Sequence, residues 1–133
     1  FGKELIKNKN SIIINISSIY GMVGPNPNIY KHRNKKVFHK NPAYLTSKAG
    51  VLNFTRFLAS YWGEKGMRVN CISPGGIENR QNKNFIKKYK NNTLLGRMGK
   101  TDDIVGVVKF LCSKDSKYIT GSNLVVDGGW TAI

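Results

Sequence analysis

Apolar residues recur along the chain with two periods, and the switches between them predict its elements. Ser11 to Ser17 (SIIINIS) is a β-branched run of the kind that forms a strand buried on both faces. Residues 1–9 before it read as the last turns of a helix. From Ala43 to Trp62 the period changes: Val51, Leu52, Thr55, Leu58 and Ala59 share one helical face, and Gly63 and Gly66 supply stop signals. Met67 to Ser73 (MRVNCIS) predicts a second buried strand, ended by Pro74-Gly75-Gly76. The stretch from Ile77 to Thr93 is polar and basic, with Phe85, Ile86 and Tyr89 along one face of a lid or short helix. Thr101 is placed to cap a helix whose first turn carries Asp102 and Asp103; Ile104, Val105, Val108, Phe110 and Leu111 are its apolar positions. A third strand, Asn123 to Val126, follows Gly121 and stops at Asp127-Gly128-Gly129. This order predicts the α/β class, with three parallel strands joined by right-handed crossover helices.

The chain has 133 residues, enough for one domain at most. A doubly wound sheet that binds a whole dinucleotide is built from two βαβαβ halves, and this chain has room for one. The expectation is a single partial domain over residues 1–133, the C-terminal half of a Rossmann-like sheet, opening at Phe1 inside a helical segment. Gly21 to Pro42 carries Pro25, Pro27 and Pro42, several Asn and the basic run Lys31-His32-Arg33-Asn34-Lys35-Lys36, which reads as a long loop.

Twenty-two Lys+Arg against 7 Asp+Glu give a net charge of +15. Nucleic acid, an anionic membrane and an acidic substrate would all use that same attraction. Much of the charge has a compositional origin, since 15 Asn and 13 Ile accompany the 17 Lys, the bias of A/T-rich codons. No RRM, KH, zinc-finger or helix-turn-helix signature appears, so no nucleic-acid partner is expected. The longest apolar run, Ile12 to Ile14, is far shorter than the ~20 residues of a membrane span, so a soluble cytoplasmic protein is expected. Cys71 and Cys112 both sit in apolar runs and read as small buried hydrophobes. His32 and His39 lie in the polar loop with no Cys/His pair at ligand spacing, so no metal is implied.

In open parallel sheets, ligands bind outside the carboxyl ends of the strands. Ser17-Ser18, Pro74-Gly75-Gly76 and Asp127-Gly128-Gly129 all fall there. Tyr44 and Lys48, four apart at the start of the long helix, share a face that points back toward those ends. A free phenol titrates near ~10. An adjacent ammonium favours the phenolate, so such a hydroxyl can exchange a proton with an alcohol or carbonyl. Ser18 is placed to hold the same substrate oxygen. The spacing alone does not separate a catalytic pair from a structural one. Tyr61 and Lys65 repeat it at the other end of the helix, where they read as a packing tyrosine with a solvated lysine.

The neighbouring wording is more specific. Ile14-Asn15-Ile16-Ser17-Ser18-Ile19-Tyr20-Gly21, Tyr44-Leu45-Thr46-Ser47-Lys48-Ala49-Gly50 and Arg68-Val69-Asn70-Cys71-Ile72-Ser73-Pro74-Gly75 occur in this order. Leu95-Gly96-Arg97-Met98-Gly99 follows, and then Tyr118-Ile119-Thr120-Gly121 through Val125-Val126-Asp127-Gly128-Gly129. Together they resemble the short-chain dehydrogenase/reductase family over almost the whole chain. The resemblance implies an NAD(P)-dependent oxidoreductase that interconverts an alcohol and a carbonyl by hydride transfer. It makes Tyr44 the proton donor and acceptor, Lys48 its partner and ligand of the nicotinamide ribose, and Ser18 the residue that orients the substrate oxygen. Pro74, Gly75 and Ile77 match the loop along the nicotinamide. Asn79 stands where the family usually has Thr.

The family's Gly-rich turn, its selector between NAD and NADP and its catalytic Asn belong upstream of Phe1. The 133 residues by themselves are therefore expected to be inactive. The stretch between Ser18 and Ala43 is about twice the family's usual length, which marks residues 25–40 as an insertion. Residues 77–95 match the substrate lid. Basic clusters in both, among them Lys35, Lys36, Lys87 and Lys88, are expected to flank one pocket and favour an anionic substrate such as a sugar derivative. Phrases in the insertion and in Ser60-Tyr61-Trp62 resemble oxidoreductases of bacterial surface-sugar and flagellin-glycan synthesis. Family subunits usually form dimers or tetramers. A different reading is a non-catalytic truncated homologue that acts in oligomer assembly.

Overall fold

The computed structural model describes residues 2–8, 10–31 and 40–133. The expected opening helix is a single turn, α1 (Gly2–Leu5), and β1 (Ile12–Ile16) follows. Helix α2 (Pro42–Trp62) leads into β2 (Arg68–Pro74). A 3₁₀ turn, Gly63–Lys65, follows the helix and ends where Gly66 takes a φ of 82°, a left-handed conformation that suits glycine. The segment after β2 contains α3 (Lys83–Lys90), which occupies the middle of the expected lid. Helix α4 (Thr101–Cys112) and β3 (Asn123–Val126) complete the chain. The strands are parallel in the order β1-β2-β3, with Ile12 beside Arg68 and Cys71 beside Asn123.

The sheet is covered by different segments on its two faces. Asn15 of β1 donates to Thr55 Oγ1 of α2 at 2.9 Å, and Ile13, Met67 and Val69 pack with Leu58 and Ala59 of the same helix. Arg68 and Asn70, of opposite parity on β2, face the other way. Arg68 donates to the Leu111 carbonyl of α4 at 2.8 Å, and Asn70 to the Ile119 carbonyl beyond it at 2.8 Å. Two crossovers that step in one direction across a sheet but lie on opposite faces have opposite hands. The expectation that both are right-handed is therefore corrected. The physical reason is the length of the second connection, which carries α3 and the Ile77–Gly99 bridge around the strand ends before α4 begins.

Strand β1 lies at the open side of the described sheet. It pairs only with β2, none of its residues is buried, and Ile16 is 46% exposed. Its β-branched run fits burial on both faces, but among the described residues it forms the sheet edge. At α4 the cap is Lys100, not Thr101. The Asp103 carboxylate accepts from the Lys100 N–H at 2.7 Å, and the two nitrogens of Arg97 hold the same carboxylate at 2.7 and 2.8 Å. Cys71 is buried as expected. Cys112 is exposed, because it falls on the outer side of the last turn of α4.

Candidate active site

The start of α2 is fixed from both sides. Asn41 caps it by accepting from the Ala43 N–H at 2.9 Å, and Pro42 occupies the first turn, where its missing N–H costs nothing. One turn further in, Ser17 Oγ donates to the Lys48 carbonyl at 2.7 Å and ties the helix to the end of β1. Gly21 completes the contact. A Cβ there would lie 2.7 Å from the Lys48 carbonyl oxygen, so no larger residue fits without a shift. Tyr44 and Lys48 are thereby held at the strand ends on one helical face, as their spacing predicts. Lys48 Nζ donates to the Ile16 carbonyl at 3.0 Å and lies 5.8 Å from the Tyr44 ring centre. Tyr44 is 39% exposed.

Ser18 is buried and caps the single 3₁₀ turn Ile19–Gly21, its Oγ accepting from the Tyr20 N–H at 3.2 Å. Acting as acceptor there leaves the hydroxyl proton to be donated elsewhere. Beyond β2, Gly75 N–H donates to the Val126 carbonyl at 2.9 Å. The next N–H, that of Gly76, donates to the Tyr89 hydroxyl. Tyr89 comes from α3, is buried, and stacks on Trp130 with ring centres 4.4 Å apart. A Cβ on Gly76 would sit 2.7 Å from the Tyr89 ring. Gly99 N–H donates to the Gly76 carbonyl at 2.9 Å, and Glu78 N–H donates to the Gly99 carbonyl at 2.8 Å, which fixes Ile77 between them.

These pieces border one cavity of about 460 Å³, lined by Ser18, Tyr44, Gly75 and Ile77 together with residues of α3 and of the expected insertion. Of the other sequence-predicted residues, Lys48 stands behind Tyr44, and Pro74 and Asn79 lie off the lining. Asn79 is exposed, its N–H donating to Gln81 Oε1 at 2.6 Å. Three lining tyrosines are held as neutral phenols. Burial, reinforced by the Tyr30 hydroxyl 2.9 Å away, pushes the Tyr20 phenol far above its ordinary value. Burial also raises Tyr30 and pushes Tyr89 up to about 12. Sequence reasoning missed these rings and Lys40 as wall residues; the Phe85-Ile86-Tyr89 face was the one available signal, and it does turn inward.

Other expectations change. Lys88 does not reach the cavity, because its Nζ donates to the carbonyls of Asn28 and Lys31. Lys83, Lys87 and Lys90 border a separate depression on the outside of α3. The basic run of the lid therefore does not flank the pocket, and Lys35 and Lys36 lie outside the described residues. Tyr61 is not a packing residue. It is 63% exposed and stacks on Phe57 at 5.8 Å, which in turn stacks on Phe54 at 6.4 Å. Among the described residues no three His, Cys, Asp or Glu are gathered to hold a metal, and no helix is long and apolar enough to cross a membrane. His32 and His39 lie outside the described residues.

The profile of the family described as Enoyl-(Acyl carrier protein) reductase matches residues 2–131. A crystal structure of a short chain dehydrogenase from Leptospira borgpetersenii with bound NAD+ is 47% identical at a TM-score of 0.82, covering 90% of this chain and 44% of that one. A 4-hydroxyisoleucine dehydrogenase complexed with NADH and succinate is 32% identical at a TM-score of 0.81, over 99% of this chain and 51% of its own. Post-translational flagellin modification protein A of Campylobacter coli is 34% identical over 130 residues, 98% of this chain and 50% of that protein. The chain thus spans about half the length of the relatives it matches. The profile match over nearly every residue, joined to the parallel sheet and to the Tyr44–Lys48 pair at its strand ends, means that this chain belongs to the short-chain dehydrogenase/reductase family.

Proposed function

We propose that these residues form the catalytic half of an NAD(P)-dependent oxidoreductase that interconverts an alcohol and a carbonyl. One observation carries the reading: Ser18, Tyr44 and the Gly75–Ile77 loop border one cavity at the carboxyl ends of the strands, with Lys48 against the tyrosine. Tyr44, the exposed phenol among neutral ones that are buried or half-buried, exchanges the proton with the substrate oxygen. Ser18 donates its remaining proton to that oxygen. Lys48, anchored on the Ile16 carbonyl, keeps positive charge beside the ring and has N–H groups left for ribose hydroxyls.

The residues present fit the nicotinamide end of a dinucleotide. The Gly75–Ile77 backbone is fixed by Val126, Tyr89 and Gly99, and the cavity falls in the roughly 300–1,000 Å³ range of small-molecule sites. When bound, the dinucleotide supplies or takes up the hydride. Tyr44, Lys48, Gly75 and Ile77 would contact it, with Pro74 and Asn79 shaping the loop from either side. The NAD+ and NADH of the solved relatives support this role, and either NAD or NADP satisfies it. None of the described helices opens on a Gly-rich turn beside the cavity, so the 133 residues alone are expected to turn over poorly. Residues 25–40 act as an insertion and 77–95 as the lid of this partial domain.

The substrate reading is a small anionic molecule, such as a sugar acid or other anionic sugar derivative. The succinate in the 4-hydroxyisoleucine dehydrogenase complex and the likeness to the flagellin modification protein support it. We further infer a cytoplasmic homodimer or homotetramer. The exposed stripe Phe54-Phe57-Tyr61 on α2 supports self-association. The alternative, a non-catalytic assembly piece, accounts for that stripe but leaves the gathered Ser18, Tyr44 and Lys48 without a role.

The test is nicotinamide-linked turnover of alcohol and carbonyl panels by the natural gene product that carries these residues. Tyr44→Phe is expected to lower kcat by about 10²–10⁴-fold. Ser18→Ala should cost about 10²–10³-fold. Retention of kcat within about twofold in Tyr44→Phe would overturn the mechanism.

A further inference from the structure

We propose that Lys40 is the residue that selects an acidic substrate, by pairing its ammonium with a carboxylate held in the cavity beside Tyr44. The inference deepens the oxidoreductase reading and rests on it for the place where the substrate lies.

Among the described residues that line the cavity, Lys40 is the single charged one. Its Nζ lies 5.6 Å from the Tyr44 ring centre and 5.8 Å from that of Tyr30, so it stands over two walls of the same space. The backbone that carries it is held in place. Lys40 immediately precedes Asn41, whose side chain caps α2 and whose carbonyl accepts from the Tyr44 N–H at 2.9 Å. Lys40 and Tyr44 are four positions apart in sequence, and the capped turn between them fixes the relation of their backbones. A molecule with its reacting oxygen at the Tyr44 hydroxyl would have its nearer substituents within reach of Lys40.

The other lysines nearby are engaged differently. Lys48 is turned to the Ile16 carbonyl, Lys88 to the carbonyls of Asn28 and Lys31, and Lys83, Lys87 and Lys90 lie on the outer side of α3. The rest of the described wall is aromatic, apolar or amide apart from the Ser18 hydroxyl, with Tyr20, Tyr30 and Tyr89 held neutral. Among the described residues a carboxylate in this space therefore meets one cation, in a partly dehydrated setting where charge-assisted hydrogen bonds are strongest. An uncharged acyl thioester would gain nothing from it.

Succinate and succinamide, equal in shape and different in charge, are the probes. Their binding to the natural gene product, with reduced dinucleotide present, is followed by tyrosine and tryptophan fluorescence. Succinate should bind about tenfold to a hundredfold more tightly than succinamide. Lys40→Met should bring that ratio close to one, and Lys40→Arg should restore most of it. Succinate bound no better than succinamide, or a ratio unmoved by Lys40→Met, overturns the proposal. Equal weakening of both probes also overturns it, since Lys40 would then act on Tyr44 or on the loop. Lys40-dependent succinate binding without nicotinamide-linked turnover would sink the reaction reading and leave the anion site standing. Turnover without charge selection would do the reverse.

Discussion

Removing one oxygen atom should loosen the loop on which the cofactor reading depends. In Tyr89→Phe the ring keeps its stack on Trp130, 4.4 Å away, and loses the hydroxyl that accepts from the Gly76 N–H. Tyr89 is 3% exposed, so little water reaches the lost acceptor's place, although Gly76 itself is only half-buried. A buried donor left without a partner costs about 1–3 kcal/mol, and the partial access of Gly76 puts the expected loss near the lower half, about 1–2 kcal/mol. Tyr89→Ala also removes the buried ring and should cost about 3–5 kcal/mol. Urea unfolding followed by tryptophan fluorescence reads both, because Trp130 reports on the ring directly. The midpoint should fall at unchanged slope. A loss below about 0.5 kcal/mol in Tyr89→Phe, the level of an ordinary surface change, would refute the view that this hydroxyl holds the loop. Gly76→Ala probes the contact from the other side. Its new Cβ would meet the Tyr89 ring at 2.7 Å, and the strain is expected to cost about 1–3 kcal/mol.

Four further outcomes follow from the same geometry. Tyr20, Tyr30 and Tyr89 all titrate above the unfolded value near 10, so their contribution is complete below pH 10 and is lost as pH rises through the folded values, about 12 for Tyr89. Urea midpoints should fall above pH 10, less steeply in Tyr89→Phe, and a flat profile would contradict this. The Arg97 guanidinium holds the Asp103 carboxyl well below the usual carboxylate range, which stabilises above the unfolded value and fades as pH falls; Arg97→Met should move acid unfolding to higher pH. Cys112 should react at once with a thiol reagent and Cys71, buried and with its thiol pushed up by burial, only on unfolding; simultaneous reaction of both would be wrong for this fold. The isolated 133 residues should self-associate through the β1 edge, faster at high salt as the +15 repulsion is screened, whereas a sharp monomer in light scattering would count against it.

The elements were legible wherever local pattern decides. Asn123–Val126 is a strand as written, α2 starts one residue before Ala43 and ends at Trp62, and Phe85, Ile86 and Tyr89 do share the inward face of α3. Ser18, Tyr44 and Lys48 come together because both strand-end position and helical spacing are local rules. What failed was set by side-chain partners that the local pattern does not announce, some of them distant in sequence. The Lys88 side chain satisfies carbonyls of Asn28 and Lys31, and nothing in its own neighbourhood announces that. Thr101 has the chemistry of a cap, but Asp103, already gripped by Arg97, fixes the helix start one residue earlier. Lys40 sits just before the cap of α2, and only the folded turn places it over Tyr44.

The parallel ladder between β1 and β2 has a consequence for how the chain reaches its native state. Ile12 pairs with Arg68 and Ile16 with Ile72, so every hydrogen bond of that ladder waits for closure of a loop that includes the whole of α2. Such pairings form late, because the entropy of closure is lost before any contact compensates it. During synthesis the β1 segment emerges long before its partner, and its isoleucines stay open to other chains for that interval. Yield in the cell should therefore depend on temperature and on holding chaperones more than on the stability of the finished sheet.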